Sequence, residues 1–289
     1  MSKLVENISK LLERIFLMIM IGFMILPFFM MAVTAFKTHA EINDVINRGI
    51  LQRILPDNWS NFTNFISIID GTSPLLNGIS FLVFIKNSLI ITIVSLFPAL
   101  FFAVTAGYGF AKFKFPFKNI MFFMVLGSLM VPMESIGIPF YSIVARAGLV
   151  DTYLGVMLPF MISAFGIFMI KQAIESIPDD YIEAARIDGC NEFWILFNII
   201  LPMIKPTITT VIVIKFLWTW NEYFWPYLVV NTKEFQPITM GLARFSNNLF
   251  QDYGPLTAAV ILTIIPTFII FVFTRRFIVK GVSASGIKG

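Results

Sequence analysis

Apolar residues gather in long runs along this chain, and six of the runs are long enough to cross a membrane. A helix rises about 1.5 Å per residue, so a bilayer core of about 30 Å takes about 20 residues. The runs lie at 15–36, 84–110, 119–143, 153–174, 207–230 and 256–278. They predict an all-α polytopic membrane protein with six transmembrane helices. A 14-residue N-terminus precedes the spans, and a tail, 279–289, follows them. The run 15–36 exceeds the apolar core of a signal peptide, about 7–15 residues, and reads as an uncleaved first span that also targets the chain.

One stretch between the fourth and fifth runs breaks the pattern. In "EAARIDGCNEFWILFNIILP" (183–202) the first half is charged and rich in small residues, and the second half is apolar and stops at proline. The order of residues over 176–189 predicts a helix. Pro178 suits a first turn, Asp179 and Asp180 face the positive helix end, and Gly189 suits a left-handed stop. Asn191 is placed to cap a second helix from Glu192 to Ile200, which Leu201-Pro202 should end. Ile182, Ala185 and Gly189 share one side of the first helix, while Ala184 and Ala185 are small enough for another surface to come close. An amphipathic connector between spans and a docking element both fit this helix–turn–helix (176–206).

Basic residues orient the spans. Thirteen of the 21 Lys and Arg fall on one side when the N-terminus is placed in the cytoplasm, among them the three of the short loop "KFKFPFK" (112–118). Short loops weigh most in the positive-inside rule, so both termini and the 183–202 segment are expected in the cytoplasm. The loops 37–83 and 231–255 are then external and polar.

Composition narrows the function classes. The chain of 289 residues is 57% hydrophobic and 13% charged, with mean hydropathy +0.83. A soluble domain carries about 25% charge. A net charge of +4 reads as the orientation bias rather than nucleic-acid binding. One cysteine, Cys190, and one histidine, His39, argue against a disulfide and a cysteine- or histidine-based metal or catalytic site. "GVSASGIKG" (281–289) imitates a phosphate-binding loop, but Ile287 separates Gly286 from Lys288 and no Ser or Thr follows.

Polar residues within spans are expensive and mark cavities. The fifth run holds Lys215, Asn221 and Glu222, with Trp220 and Tyr223 beside them. A solute path with aromatic stacking faces fits these residues. So does an interfacial belt of Trp220, Tyr223, Trp225 and Tyr227. Glu134, between Pro132 and Pro139, reads as either a gating hinge or a packed kink.

Glu183-Ala184-Ala185, three residues, Gly189, nine residues, then Ile199-x-Leu201-Pro202 resembles the coupling-helix signature of ABC importer permease subunits. "NSL" (87–89), "WNEY" (220–223) and "RRFIVKGVSASGIKG" (275–289) resemble the carbohydrate branch, and within it the smaller, maltose-type subunit. The resemblance implies a subunit without catalytic residues or cofactor of its own, in a prokaryotic cell membrane. A second, different permease, an ATP-binding subunit dimer holding ATP and Mg, and an extracytoplasmic solute-binding protein are the implied partners, and a sugar or oligosaccharide is the implied cargo. Glu183, Ala184, Ala185 and Gly189 would meet the ATPase, with Leu201 and Pro202 closing the segment. Gly286, Lys288 and Gly289 would reach between the ATPases. Trp220, Asn221, Glu222, Tyr223 and Glu134 remain candidates for the path. An ion-coupled secondary transporter using Glu134, Lys215 and Glu222, or a non-transporting scaffold, are the competing expectations.

Overall fold

A computed structural model describes residues 2–44, 48–246 and 253–285, and every regular element among them is helical. Four apolar runs become long helices. They are α1 (Ser2–Ala35), α2 (Phe81–Lys112), a helical span from Tyr153 to Glu175 (α5) and, at the other end of the chain, a helix over Tyr253–Ser285. Chain length and lack of charge make these the predicted first, second, fourth and sixth spans.

The third and fifth runs are not straight spans, and the third breaks next to Pro132, beside the hinge or kink read from the sequence. The third divides into α3 (Lys118–Ser128) and α4 (Met133–Arg146), set at 99°. Pro132 explains the site of the break. The residue before a proline avoids helical backbone. The N–H groups of Leu129, Met130 and Val131 accordingly bond three residues back, to Leu126, Gly127 and Ser128, in a tightened last turn. Glu134 stands exposed in the first turn of α4, beyond the break.

Between α5 and the fifth run lie α6 (Asp180–Ile187) and α7 (Glu192–Met203). The fifth run opens as α8 (Lys205–Trp220), at 83° to α7, and stops at Asn221. Asn221 turns its side-chain amide onto the carbonyl of Leu217 at 2.8 Å. Glu222 Oε1 accepts the N–H of Trp225 at 3.2 Å, at the start of α9 (Phe224–Val229). Short polar side chains that bond nearby backbone compete with a continuing helix. α10 (Ile238–Ser246) follows, and the Tyr253–Ser285 helix is α11.

The chain divides into two compact units, residues 1–81 with 242–265 and residues 82–241 with 266–289. In the first unit, the end of α1 is tied to the segment after it. Asn64 Nδ2 donates to the carbonyls of Ala35 and Lys37 at 2.9 and 2.8 Å. Phe36 packs against Trp59, Phe62 and Phe65.

The second unit has an apolar cluster at each end of α2. At the Lys112 end, Val104 and Tyr108 pack with Ile170, Ile174, Ile182, Ala185, Leu196 and Ile200. Gly107 permits this approach of α2 to α5, since a Cβ there would lie 2.8 Å from Ile170 Cγ2 and 3.1 Å from the Lys171 nitrogen. At the other end, Ile91, Val144, Trp225 and Val229 pack together, and Trp225 Nε1 donates to the Gly155 carbonyl at 3.2 Å.

"NSL" acquires a physical reason here. Buried Asn87 donates to the carbonyls of Glu234 and Gln236 at 2.7 and 2.9 Å and accepts from the Tyr153 hydroxyl at 2.6 Å. Ser88 Oγ accepts the N–H of Ile238 at 2.8 Å. These bonds sew the segment before α10 onto the start of α2. Asn87→Leu would remove all three of these Asn87 bonds and is expected to destabilise the fold by about 3 kcal/mol. A fall in Tm of the detergent-solubilised protein, larger than that of Tyr153→Phe, is the measurement that checks it.

Candidate functional site

The 176–202 segment is where this chain departs furthest from a plain bundle. α5 closes with Ser176 Oγ on the Ala173 carbonyl at 2.7 Å and the Ile177 N–H on the Ile174 carbonyl at 3.1 Å. The following helix starts at Asp180, later than the sequence reading, with Pro178 outside it and Asp179 at its N-cap position. The Asp179 side chain does not cap it. Its carboxylate instead takes the Lys112 ammonium at 2.5 Å.

Gly189 has φ +81°, the left-handed stop expected of it. The Cys190 N–H bonds the Ala185 carbonyl and the Gly189 N–H that of Arg186, both at 3.0 Å, which closes a Schellman motif. Asn191 Oδ1 then accepts the Trp194 N–H at 2.8 Å and starts α7. Stop and restart therefore fall in three residues.

Leu201-Pro202 does not end α7, as the sequence reading had it. The helix winds through a π-helical stretch, Ile195–Ile200, with the Leu201 N–H on the Leu196 carbonyl, and continues to Met203. The wider π turn accommodates a proline, which lacks an N–H and crowds the carbonyl four residues back in a regular helix. The break comes at Ile204, just before Lys205-Pro206.

The faces of α6 sort cleanly. Ile182 and Ala185 are buried in the cluster at the Lys112 end of α2. Glu183, Ala184 and Gly189 are exposed, as are Tyr181 and Ile187, the latter 86%. Of the two alanines, only Ala184 is on the open face. Ala185 lets α6 approach its own bundle instead. Tyr181 and Ile187 were missed, although an isoleucine beside charged residues on a short helix was a signal available in the sequence.

Two polar groups on α2 hold the ends of α6. Lys112 Nζ donates to the Ile177 carbonyl at 2.7 Å and to Asp179. The Tyr108 hydroxyl donates to Glu192 Oε2 at 2.6 Å, while Arg186 Nε donates to Glu192 Oε1 at 2.7 Å across the glycine turn. A cavity of about 490 Å³ opens beside them, lined by Lys112, Lys114, Lys118, Asp179, Glu183 and Arg186.

The candidate path residues lie on either side of the α8 break. Lys215 and Glu222 do not share a helix face, because α8 ends at Trp220. Lys215 is buried, its ammonium 5.2 Å from the centre of the Phe160 ring. Trp220 is 2% exposed and stacks on Phe216 at 5.5 Å, while Trp225 is 0% exposed, so neither has the exposure of a belt residue. Tyr223 and Tyr227 do, at 40% and 59%, and stack on each other. Asn221 is exposed and Glu222 half-buried. Gly286, Lys288 and Gly289 lie outside the described residues.

Residues 99–282 match the family described as binding-protein-dependent transport system inner membrane component. The chain is 29% identical over 284 residues to the arabinooligosaccharides transport system permease protein AraQ of Bacillus subtilis, covering 98% of this chain and 97% of that one. It is 30% identical over 269 residues to the sn-glycerol-3-phosphate transport system permease protein UgpE of Agrobacterium fabrum, covering 92% and 93%. The fold resembles a chain of a solved bacterial ABC transporter involved in the import of the acidic polysaccharide alginate, with TM-score 0.79, 21% identity and coverage of 94% and 97%.

The Lys112 ammonium, hydrogen-bonded to Asp179, holds that carboxyl below its usual range. With the folded value below the unfolded one of about 4, the contribution of the pair is complete above pH 4 and is lost as the pH falls through the folded value. A ¹³C-detected titration of the Asp179 carboxyl is expected to show a midpoint below that of an unstructured aspartate. Lys112→Met should move it upward.

Proposed function

For this chain, which belongs to the family of binding-protein-dependent transport system inner membrane components and is a permease subunit of an ABC importer, we propose that α6 is the element an ATP-binding subunit grips. One observation carries the reading. α6 is a short helix with a complete stop and restart, it buries only Ile182 and Ala185 in its own bundle, and it presents Tyr181, Glu183, Ala184 and Ile187 outward. An apolar anchor beside a carboxylate and a small residue suits a groove in a partner protein. The charge bias of the short loops supports placing this segment, and both termini, in the cytoplasm.

The proposed assembly pairs this chain with a second permease and an ATP-binding dimer that holds ATP and Mg. Closure of that dimer draws the α6 helices together and turns the path between the permeases outward. A solute-binding protein then delivers the cargo. Permease-level likeness to arabinooligosaccharide transport supports a sugar or oligosaccharide as that cargo.

The grip is tested in the reconstituted importer. Glu183→Ala and Ile187→Asp are each expected to lower uptake about tenfold or more, the effect of removing an interface anchor, with membrane insertion unchanged. Normal uptake by both variants would overturn the role of α6. Gly189→Val should act through the fold instead. Forcing a β-branched residue to φ +81° is expected to destabilise the turn by about 1–3 kcal/mol, read as a lower Tm. Cargo class is checked with arabinotriose, lactose and sn-glycerol-3-phosphate as uptake probes. Uptake of the phosphate ester alone would overturn the sugar assignment.

A further inference from the structure

The coupling segment touches three candidate levers, and they are built differently. α5 runs into it through the non-helical residues 176–179, a link whose dihedrals absorb displacement. α8 is its covalent continuation, but the link runs through the π turn of α7 and the 83° break at Ile204. A few dihedrals at such a break absorb displacement. α2 is distant in sequence, yet from one face it bonds the residues on both flanks of α6, Ile177 and Asp179 before it and Glu192 of α7 after it, since Tyr108 and Lys112 are four residues apart on the helix.

Resting on the role proposed for α6, we infer that the movement of α6 is carried into the membrane by α2, through two polar clamps. The clamp at the start of α6 is Lys112, whose side chain is 8% exposed and whose ammonium bonds both the Ile177 carbonyl and the Asp179 carboxylate. The clamp beyond its end is Tyr108, 4% exposed, which bonds Glu192 while Arg186 of α6 bonds the other oxygen of the same carboxylate. Val104 and Tyr108 of α2 belong to the same apolar cluster as Ile182 and Ala185 of α6. An apolar contact resists separation but lets surfaces slide, whereas directional bonds at both ends fix the register along the axis. Tyr108, Lys112, Asp179, Arg186 and Glu192 are thus positioning residues, which act on transport through α2.

The experiment uses the full importer, with both permeases and the ATP-binding dimer, in phospholipid nanodiscs. Cys190→Ser supplies a cysteine-free chain, and bimane is attached through Asp188→Cys beside α6 or Val94→Cys on the exposed face of α2. ATP with vanadate is the probe. In the parent both labels are expected to change emission. In Tyr108→Phe combined with Asp179→Asn, the change at position 188 should persist and the change at position 94 should be lost. The pair Lys112→Glu with Asp179→Lys, in the otherwise unaltered labelled chain, should restore the signal at position 94 that Lys112→Glu alone removes, with the change at position 188 present in both. Retention of the signal at position 94 in the Tyr108→Phe, Asp179→Asn variant would overturn the clamps and leave the role of α6 standing. Absence of any change at position 188 in the parent would overturn the role of α6 itself.

Discussion

Every backbone N–H and C=O in a lipid-embedded chain needs a partner within the protein, because hydrocarbon supplies none. The chain is easiest to understand through the places where the helical ladder stops and this need becomes acute. At 129–131 the ladder tightens to three-residue bonds. At 189–191 a Schellman closure passes directly to an asparagine cap. At 195–200 it widens to a π turn. At 221–222 Asn221 and Glu222 supply the missing bonds from their side chains. Each interruption has its own local chemistry.

These interruptions give the second unit its two kinds of surface. Where the ladder is unbroken, as along much of α2, polar groups are internal and the exterior is left to apolar side chains such as Phe97 and Phe101. Where it stops, charged and small residues gather. Asp179, Glu183, Arg186 and Asp188 all fall between the end of α5 and the 189–191 turn, in the 14 residues from Pro178 to Asn191. A charged surface this close to the spans costs less there than anywhere inside them, since the residues have left the apolar core.

Length and apolarity made the long helices legible, and residue chemistry at single positions made the turn legible. Gly189 and Asn191 announce their roles because few residues take a left-handed stop or an N-cap without penalty. Pro202 misled, because a proline in sequence marks the end of a regular helix, and nothing local shows that the turns before it widen. The angle of the third span was hidden for a related reason. Its apolar run continues through 129–131 up to Pro132, so hydropathy reports membrane depth and is blind to direction. The polar clamps were invisible for a different cause. Tyr108 and Glu192 are 84 residues apart in sequence and meet only in the folded chain, where Gly107 also lets α2 pack closely on α5.

That last contact shows why the bonds matter more for direction than for stability. The Asp179 side chain is 70% exposed, and an ion pair in such a setting contributes little net free energy. Its partner, though, is a lysine whose stem is buried against its own bundle and whose ammonium also holds a backbone carbonyl. The charge is therefore fixed on the α2 side, and Asp179 is aligned to it rather than free to follow solvent. The Tyr108–Glu192–Arg186 chain repeats the arrangement beyond the far end of α6, with the buried phenol as the fixed member. An element held by weak but directional bonds at two ends can be displaced as a body and return to one register. Apolar burial of Ile182 and Ala185 keeps it in place between those ends.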